Sequence, residues 1–278
     1  SPAESTTRRP ARAARSVGLP VRLWRVTRVT LHIAAGIATT TFVFPRARPE
    51  RKRALIRRWS QKLLRLMNVE ARVHGAIDAH GGNVLVVANH VSWLDIVVLN
   101  AHRPSRFIGK AELARWPVVG HLIRGTGTLF IERARRHDTH RVNRSAADAL
   151  AAGDVVTVFP EGTTTDGTTV LRFHGSLLQP IVDAGGHVLP VAIRYHDADG
   201  ALSFAPEYVG DTSFATSFWR VCGERRLGVE LFAAPALPAR TRHRRELARD
   251  AEDAIRTALA VRAAATGPGT RDGPAAGP

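Results

Sequence analysis

From residue 69 onward, short apolar runs alternate with helix-patterned stretches, and this rhythm constrains the fold more than any other feature of the chain. Runs at 69–73, 84–88, 106–108, 128–131, 155–159, 187–193 and 227–232 have the length and composition of strands. The stretches 92–101, 111–123, 139–152, 176–184, 214–221 and 240–264 are patterned as helices. The alternation predicts an α/β fold, a single domain whose largely parallel or mixed central sheet is flanked by helices. A chain of 278 residues, 44% of them hydrophobic, can bury one sizeable core.

The residues before this rhythm differ in kind. Residues 1–75 hold 17 Lys and Arg against three Asp and Glu, a balance of +14, while the remaining 23 and 21 leave only +2. Residues 1–20 are Arg, Ala, Ser and Pro with few large apolar groups, a composition expected to be disordered. The run at 29–45 carries no formal charge, and its 17 residues at 1.5 Å each would reach about 26 Å, near the lower limit for a spanning helix. His32, three threonines at 39–41 and Pro45 weaken a full span, so an embedded or interfacial segment is the favoured reading over a span or a soluble core helix.

A basic amphipathic helix follows at 46–66, with Leu55, Ile56, Trp59, Leu63, Leu64 and Leu66 spaced by threes and fours between cations. Nucleic acid and anionic lipid attract such charges equally, so charge alone selects no partner. The expected organisation is a basic N-terminus (1–20), a membrane-associating helical segment (21–66), a catalytic domain (67–240), a C-terminal helix (241–265) and a disordered Gly, Pro and Ala tail (266–278).

Three polar turns at predicted strand ends carry the candidate chemistry. The first is N-H-V-S-W-L-D-I at 89–96. A helix turns about 100° per residue, so positions five apart lie roughly 140° apart and His90 meets Asp95 only if the helix starts between them. Ser92 is a suitable N-cap, which makes a His90–Asp95 dyad feasible. Ser92-x-x-Asp95 also reads as a capping box with His90 a bystander, and these eight residues leave both readings open.

The second turn, F-P-E-G-T-T-T-D-G at 159–167, offers Glu161 to a substrate hydroxyl and Gly162 as a site of close backbone approach; its alternative is a solvated Pro-Gly turn. The third joins G-K-A-E-L at 109–113 to 128–133, where Lys110 and Arg133 either meet an anionic group or serve as surface charges. A fourth run, V-L-P-V-A-I at 188–193, reads as a buried strand shaping the pocket. The single cysteine, Cys222, excludes an internal disulfide and a multi-cysteine metal site, and reads as a buried residue. His74, Asp78 and His80, or His137 and His140, lack a metal-binding scaffold pattern, so no metal is expected.

Taken in order, N-H-V-S-W-L-D, G-K-A-E-L through L-F-I-E-R, F-P-E-G-T and V-L-P-V-A-I resemble the four blocks of the glycerolipid acyltransferase family, the 1-acylglycerol-3-phosphate acyltransferases and their relatives, over about residues 69–235. The resemblance implies transfer of a fatty acyl group from acyl-CoA or acyl carrier protein to a lysolipid hydroxyl, without cofactor, at an anionic membrane surface on the cytoplasmic face of the inner membrane. It implies a catalytic dyad of His90 as general base and Asp95 as its orienting carboxylate. Glu161 matches a position that contacts the acceptor, Lys110 and Arg133 match head-group cations, and Gly162, Thr163 and Thr164 fall in the same substrate-binding turn. The acceptor the resemblance implies is 1-acyl-sn-glycerol-3-phosphate, giving phosphatidic acid; members acting on it commonly carry arginine where this chain has Thr164, and the departure makes lyso-ornithine lipid or another lysolipid the alternative. A lipase or thioesterase would want a G-x-S-x-G elbow, which does not occur; no nucleic-acid module is recognisable, so no nucleic-acid partner is expected.

Overall fold

The structure is a computed structural model that describes residues 16–116, 119–131, 136–210 and 212–265. Eight strands, β1 (Val69–His74), β2 (Val84–Ala88), β3 (Arg106–Lys110), β4 (Leu129–Ile131), β5 (Val155–Val158), β6 (His187–His196), β7 (Leu227–Ala233) and β8 (Leu237–Pro238), form one mixed sheet. Their order is β1-β7-β6-β2-β5-β3-β4, with β8 beside β6. β2 through β6 run parallel, whereas β7 and β8 are antiparallel to β6. The carboxyl ends of five strands therefore meet along one edge, where an α/β sheet presents its ligand crevice.

All five residues of β2 are buried, as its unbroken V-L-V-V-A run requires of a strand covered on both faces. Val84, Val86 and Ala88 enter one core and Leu85 and Val87 the other, the two-residue alternation of a strand. The first core lies under α1 (Leu19–Ala38), α2 (Pro49–Leu66), α3 (Leu94–His102) and α7 (Phe214–Gly223). The second lies under α5 (Arg136–Ala151), α6 (Gln179–Ala184) and α8 (Arg244–Ala265). The helix from 119, α4 (Val119–Gly125), contacts the turn at 111–115 and the end of the N-terminal helical run.

Pro190 in the middle of β6 is tolerated for a local reason. Its carbonyl accepts from the Ala234 N–H at 3.0 Å, so its ring nitrogen faces the same side. There the neighbour changes from β8, paired to His187 and Val188, to β7, paired from Val191, and the missing donor falls between the two ladders.

Several boundaries differ from expectation. The helix predicted over 111–123 is a 3-10 turn at Ala111–Arg115 followed by α4, because Trp116 precedes a proline and is extended at φ −65°, ψ 127°. The stretch 176–184 likewise divides into a 3-10 turn at Gly175–Leu178 and α6, with Pro180 at the helix start. α8 begins at Arg244 rather than 240, after Thr241 at φ 69°, and the two-residue β8 was not anticipated. Within 1–20, α1 already begins at Leu19, and Val17 donates to the Gly223 carbonyl at 2.8 Å; residues 1–15 and the tail 266–278 lie outside the described residues.

The apolar N-terminal run is helical from Leu19 to Arg46, passing from α1 through a π-helical turn at Thr39–Val43, and is long and apolar enough to cross a membrane by length and composition. It packs against α2. The Trp59 indole donates to the His32 carbonyl at 3.2 Å, the His32 Nε2 meets the Trp59 carbonyl at 3.0 Å, and the rings stack at 5.1 Å. Gly36 permits this approach, since a Cβ there would lie 2.6 Å from the indole nitrogen. The other face leaves Leu19, Val21, Leu23, Trp24, Leu31 and Phe42 exposed.

Candidate active site

Where β2 ends, the buried Asn89 amide takes the place of a ladder partner: its Oδ1 accepts the Ile193 N–H at 2.7 Å and its Nδ2 donates to the Ile193 carbonyl at 3.0 Å. This fixes the chain on β6 just before it turns. The next residue, His90, donates its backbone N–H to Glu161 Oε1 at 2.7 Å, and its carbonyl accepts the Thr165 N–H at 2.8 Å. Its ring lies flat on Phe159, with centroids 4.0 Å apart and planes 10° apart.

His90 Nδ1 meets Asp95 Oδ2 at 2.8 Å. The same oxygen accepts the backbone N–H of Val91 at 2.8 Å and of Ser92 at 2.9 Å, while Oδ1 accepts the Tyr195 hydroxyl at 2.7 Å. Asp95 has no exposed surface, and four donors offset the cost of keeping a carboxylate there. A carboxylate partner fixes Nδ1 as the protonated nitrogen and leaves the lone pair on Nε2. The imidazole side chain is 20% exposed, so this half-buried base lies within reach of an incoming group.

Ser92 is also part of a cap. Its Oγ accepts the Leu94 N–H at 3.2 Å, and α3 starts at Leu94 with Trp93, not Ser92, as the residue before it. The dyad geometry and the capping hydrogen bonds are therefore present together, because one carboxylate serves both.

Tyr195 was missed by sequence reasoning, which stopped at residue 193. Two signals were available: β6 continues the strand pattern, and a tyrosine in a core seeks a partner for its hydroxyl. Tyr195 is fully buried, and burial, followed by the charge of Asp95, holds its phenol well above the ordinary value. A raised folded-state pKa means that the native state retains a proton which the unfolded state releases near pH 10, so stability falls as pH rises past about 10. Tyr195→Phe is expected to cost about 1.5–3 kcal/mol, as the loss of a hydrogen bond to a charged group. The melting temperatures of wild type and Tyr195→Phe should converge between about pH 9 and 11; parallel curves over that range would contradict the assignment.

Glu161 is buried and links two segments, with Oε1 on the His90 N–H and Oε2 accepting the Leu171 N–H at 2.8 Å. Burial raises its pKa, and these two backbone bonds and His90 oppose the rise. Gly162 adopts φ 80°, and its N–H donates to the Phe159 carbonyl at 3.2 Å. Thr163 is exposed, while the half-buried Thr164 donates its hydroxyl to the Tyr208 carbonyl. Both the 159–167 turn and His90 thus lie at the carboxyl edge and are joined directly. Lys110 is exposed at the end of β3, beside β4, and no contact brings it to the dyad; Arg133 lies outside the described residues.

The remaining candidates do not converge. His74 pairs with Glu230 at 3.3 Å, Asp78 faces Arg57 and Arg103, and the His80 ring lies 4.6 Å from that of His187, tilted by 40°. His140 is exposed, and the side chain of His137 is outside the described residues. Among the described residues, no three His, Cys, Asp or Glu side chains are grouped to hold a metal. Cys222 is buried, and burial pushes its thiol up to about 11, which suits a packing role over a nucleophile.

Residues 70–194 match the family model described as Acyltransferase. The chain is 36% identical over 213 residues to the 1-acyl-sn-glycerol-3-phosphate acyltransferase of Neisseria meningitidis, covering 76% of this chain and 83% of that one. It is 37% identical over 251 residues to the lyso-ornithine lipid O-acyltransferase of Pseudomonas aeruginosa, covering 88% and 95%. The crystal structure of the 1-acyl-sn-glycerophosphate acyltransferase PlsC from Thermotoga maritima superposes with a TM-score of 0.67 at 22% identity, over 91% of this chain and 98% of that one, and so shares the fold.

Proposed function

We propose, on the premise that this chain belongs to the acyltransferase family, that it transfers a fatty acyl group from a thioester to the hydroxyl of a lysolipid, with 1-acyl-sn-glycerol-3-phosphate as acceptor and phosphatidic acid as product. The observation that carries the mechanism is the His90 ring, anchored through Nδ1 to a buried four-donor carboxylate and only partly buried itself.

Nε2 takes the proton as the acceptor oxygen bonds to the thioester carbon. The tetrahedral intermediate then expels the thiolate, and the imidazolium returns the proton to sulfur. A thiol of pKa near 8.5 leaves far more readily than an alkoxide, so no separate strong acid is required. Asp95 holds the tautomer and stabilises the transient imidazolium. The Gly162 N–H is already given to Phe159, so any oxyanion donors in this turn would come from its neighbours, beginning with Thr163. Glu161 braces the turn that presents His90 to the acceptor, and Lys110 and Arg133 are assigned to its head group.

A second reading, O-acylation of lyso-ornithine lipid, is favoured by Thr164, whose hydroxyl engages Tyr208 where a phosphate-binding arginine is common. The two are separated by assaying purified protein with labelled acyl-CoA against lysophosphatidic acid, lyso-ornithine lipid and lysophosphatidylcholine. Thr164→Arg should improve the rate on lysophosphatidic acid relative to lyso-ornithine lipid by about tenfold, the worth of one charge-assisted hydrogen bond. An unchanged ratio would remove Thr164 from acceptor choice.

We place the catalytic unit at 67–240 and assign 21–66 to the cytoplasmic surface of the inner membrane. The support is the exposed apolar face of α1 beside the cations of α2, each worth about 1 kcal/mol near anionic lipid. The donor is acyl-CoA or acyl carrier protein.

A further inference from the structure

Across the sheet from α1 and α2, a cavity of about 510 Å³ opens between the irregular segment around Phe173 and the first turns of α8. Arg172, His174, Arg245 and Arg249 line it. No acidic side chain pairs with any of these three arginines among the described residues. The one acid in the wall, Glu252, is engaged elsewhere: Oε2 accepts the Phe173 N–H at 2.8 Å and Oε1 accepts from Arg256 at 3.0 Å. The cavity of about 520 Å³ at the amino edge of the sheet differs in this respect, since three of its four arginines, Arg53, Arg57 and Arg103, face Asp154 or Asp78.

The pocket is tied to the catalytic turn. The His174 N–H donates to the Pro160 carbonyl at 2.9 Å, and the Leu171 N–H reaches Glu161, which holds the His90 backbone through its other oxygen. A ligand seated among the arginines therefore lies beside the carboxyl edge, on the face opposite the exposed apolar side of α1.

We infer that this pocket holds the phosphate groups of coenzyme A, the carrier of the acyl donor; the assignment rests on the acyl-transfer reading above. Three unpaired guanidinium groups around a concavity of nucleotide size suit a pyrophosphate and a ribose phosphate, each recognised by charge-assisted and bidentate hydrogen bonds. The pantetheine arm then runs toward His90, and the lysolipid arrives from the α1 and α2 side. The two substrates approach one edge from opposite faces, so neither must cross the other.

The test compares wild type with Arg172→Gln/Arg245→Gln/Arg249→Gln and with Arg249→Gln alone, folding being checked by circular dichroism and melting temperature. Each is assayed with acyl-CoA, acyl-pantetheine and acyl carrier protein. The expected result for the triple variant is a KM for acyl-CoA raised about tenfold or more, with kcat at saturating donor, the KM for lysolipid and the rate from acyl-pantetheine all unchanged. Arg249→Gln should give a smaller shift of the same kind. The inference is overturned by an unchanged KM for acyl-CoA, by a rise in the KM for lysophosphatidic acid instead, or by a loss confined to acyl carrier protein. Failure of wild type to transfer from any donor would refute the acyl-transfer reading itself, a distinct outcome.

Discussion

Asp95→Asn is expected to lower kcat by about 10³–10⁴-fold while leaving a folded protein. Asp95 Oδ2 receives three N–H donors and Oδ1 receives the Tyr195 hydroxyl, so the amide must place its oxygen toward the three and its NH₂ toward Tyr195. The tyrosine hydroxyl can rotate to accept, which limits the stability loss to about 1–3 kcal/mol. What the amide cannot do is attract Nδ1–H as a carboxylate does. The ring keeps an oxygen acceptor for Nδ1–H but loses the negative charge that stabilises the imidazolium, and the loss should appear in kcat more than in KM for either substrate. A variant retaining more than about a tenth of wild-type kcat would show that Asp95 acts mainly as a cap.

His90→Ala is expected to cost about 10²–10⁴-fold in kcat with every lysolipid, the usual contribution of a positioned general base. The structural consequence should be small. The bonds that hold the turn use the His90 backbone, which the substitution keeps, and the side chain contributes the stack on Phe159 and one of four donors to Asp95. A melting temperature within a few degrees of wild type, measured beside the rate, therefore separates loss of base from loss of fold. The same change with lysophosphatidic acid and lyso-ornithine lipid would place His90 in the chemistry rather than in acceptor choice.

Much of this site was legible in the chain because its signals are local. The V-L-V-V-A run announces a doubly covered strand, and the five-residue spacing of His90 and Asp95 requires a turn-to-helix junction between them. Ambiguity between dyad and cap arose because the residue types serve both, and the structure shows one carboxylate bonded in both ways. The partners that complete the site are distant in sequence. Tyr195 is 100 residues from Asp95, and the two segments bridged by Glu161 meet only once β5 lies beside β2. No local pattern marks such pairs.

Elsewhere, local pattern was overruled by backbone chemistry. The stretch 111–123 carries helical patterning, yet the residue before a proline is biased away from the helical region; Trp116 is extended, and the element divides. His32 looked like a flaw in an apolar run, but its stack and hydrogen bond to Trp59 make it the seam between α1 and α2. β8 is two residues long, one of them proline, and has no signal of its own apart from the edge of β6 that it covers.

The central claim is that His90 activates the acceptor hydroxyl for direct attack on the thioester. It is tested most directly by acid-quenching turnovers of wild type and His90→Ala with labelled acyl-CoA and lysolipid, then measuring lipid product and intact protein mass together. Direct attack predicts acylated lipid from wild type with no acyl adduct on the protein at any time, and from His90→Ala no adduct and lipid product slowed by about 10²–10⁴-fold. A His90→Ala enzyme turning over near the wild-type rate, or an acyl-protein that forms without acceptor and disappears when lysolipid is added, would contradict it.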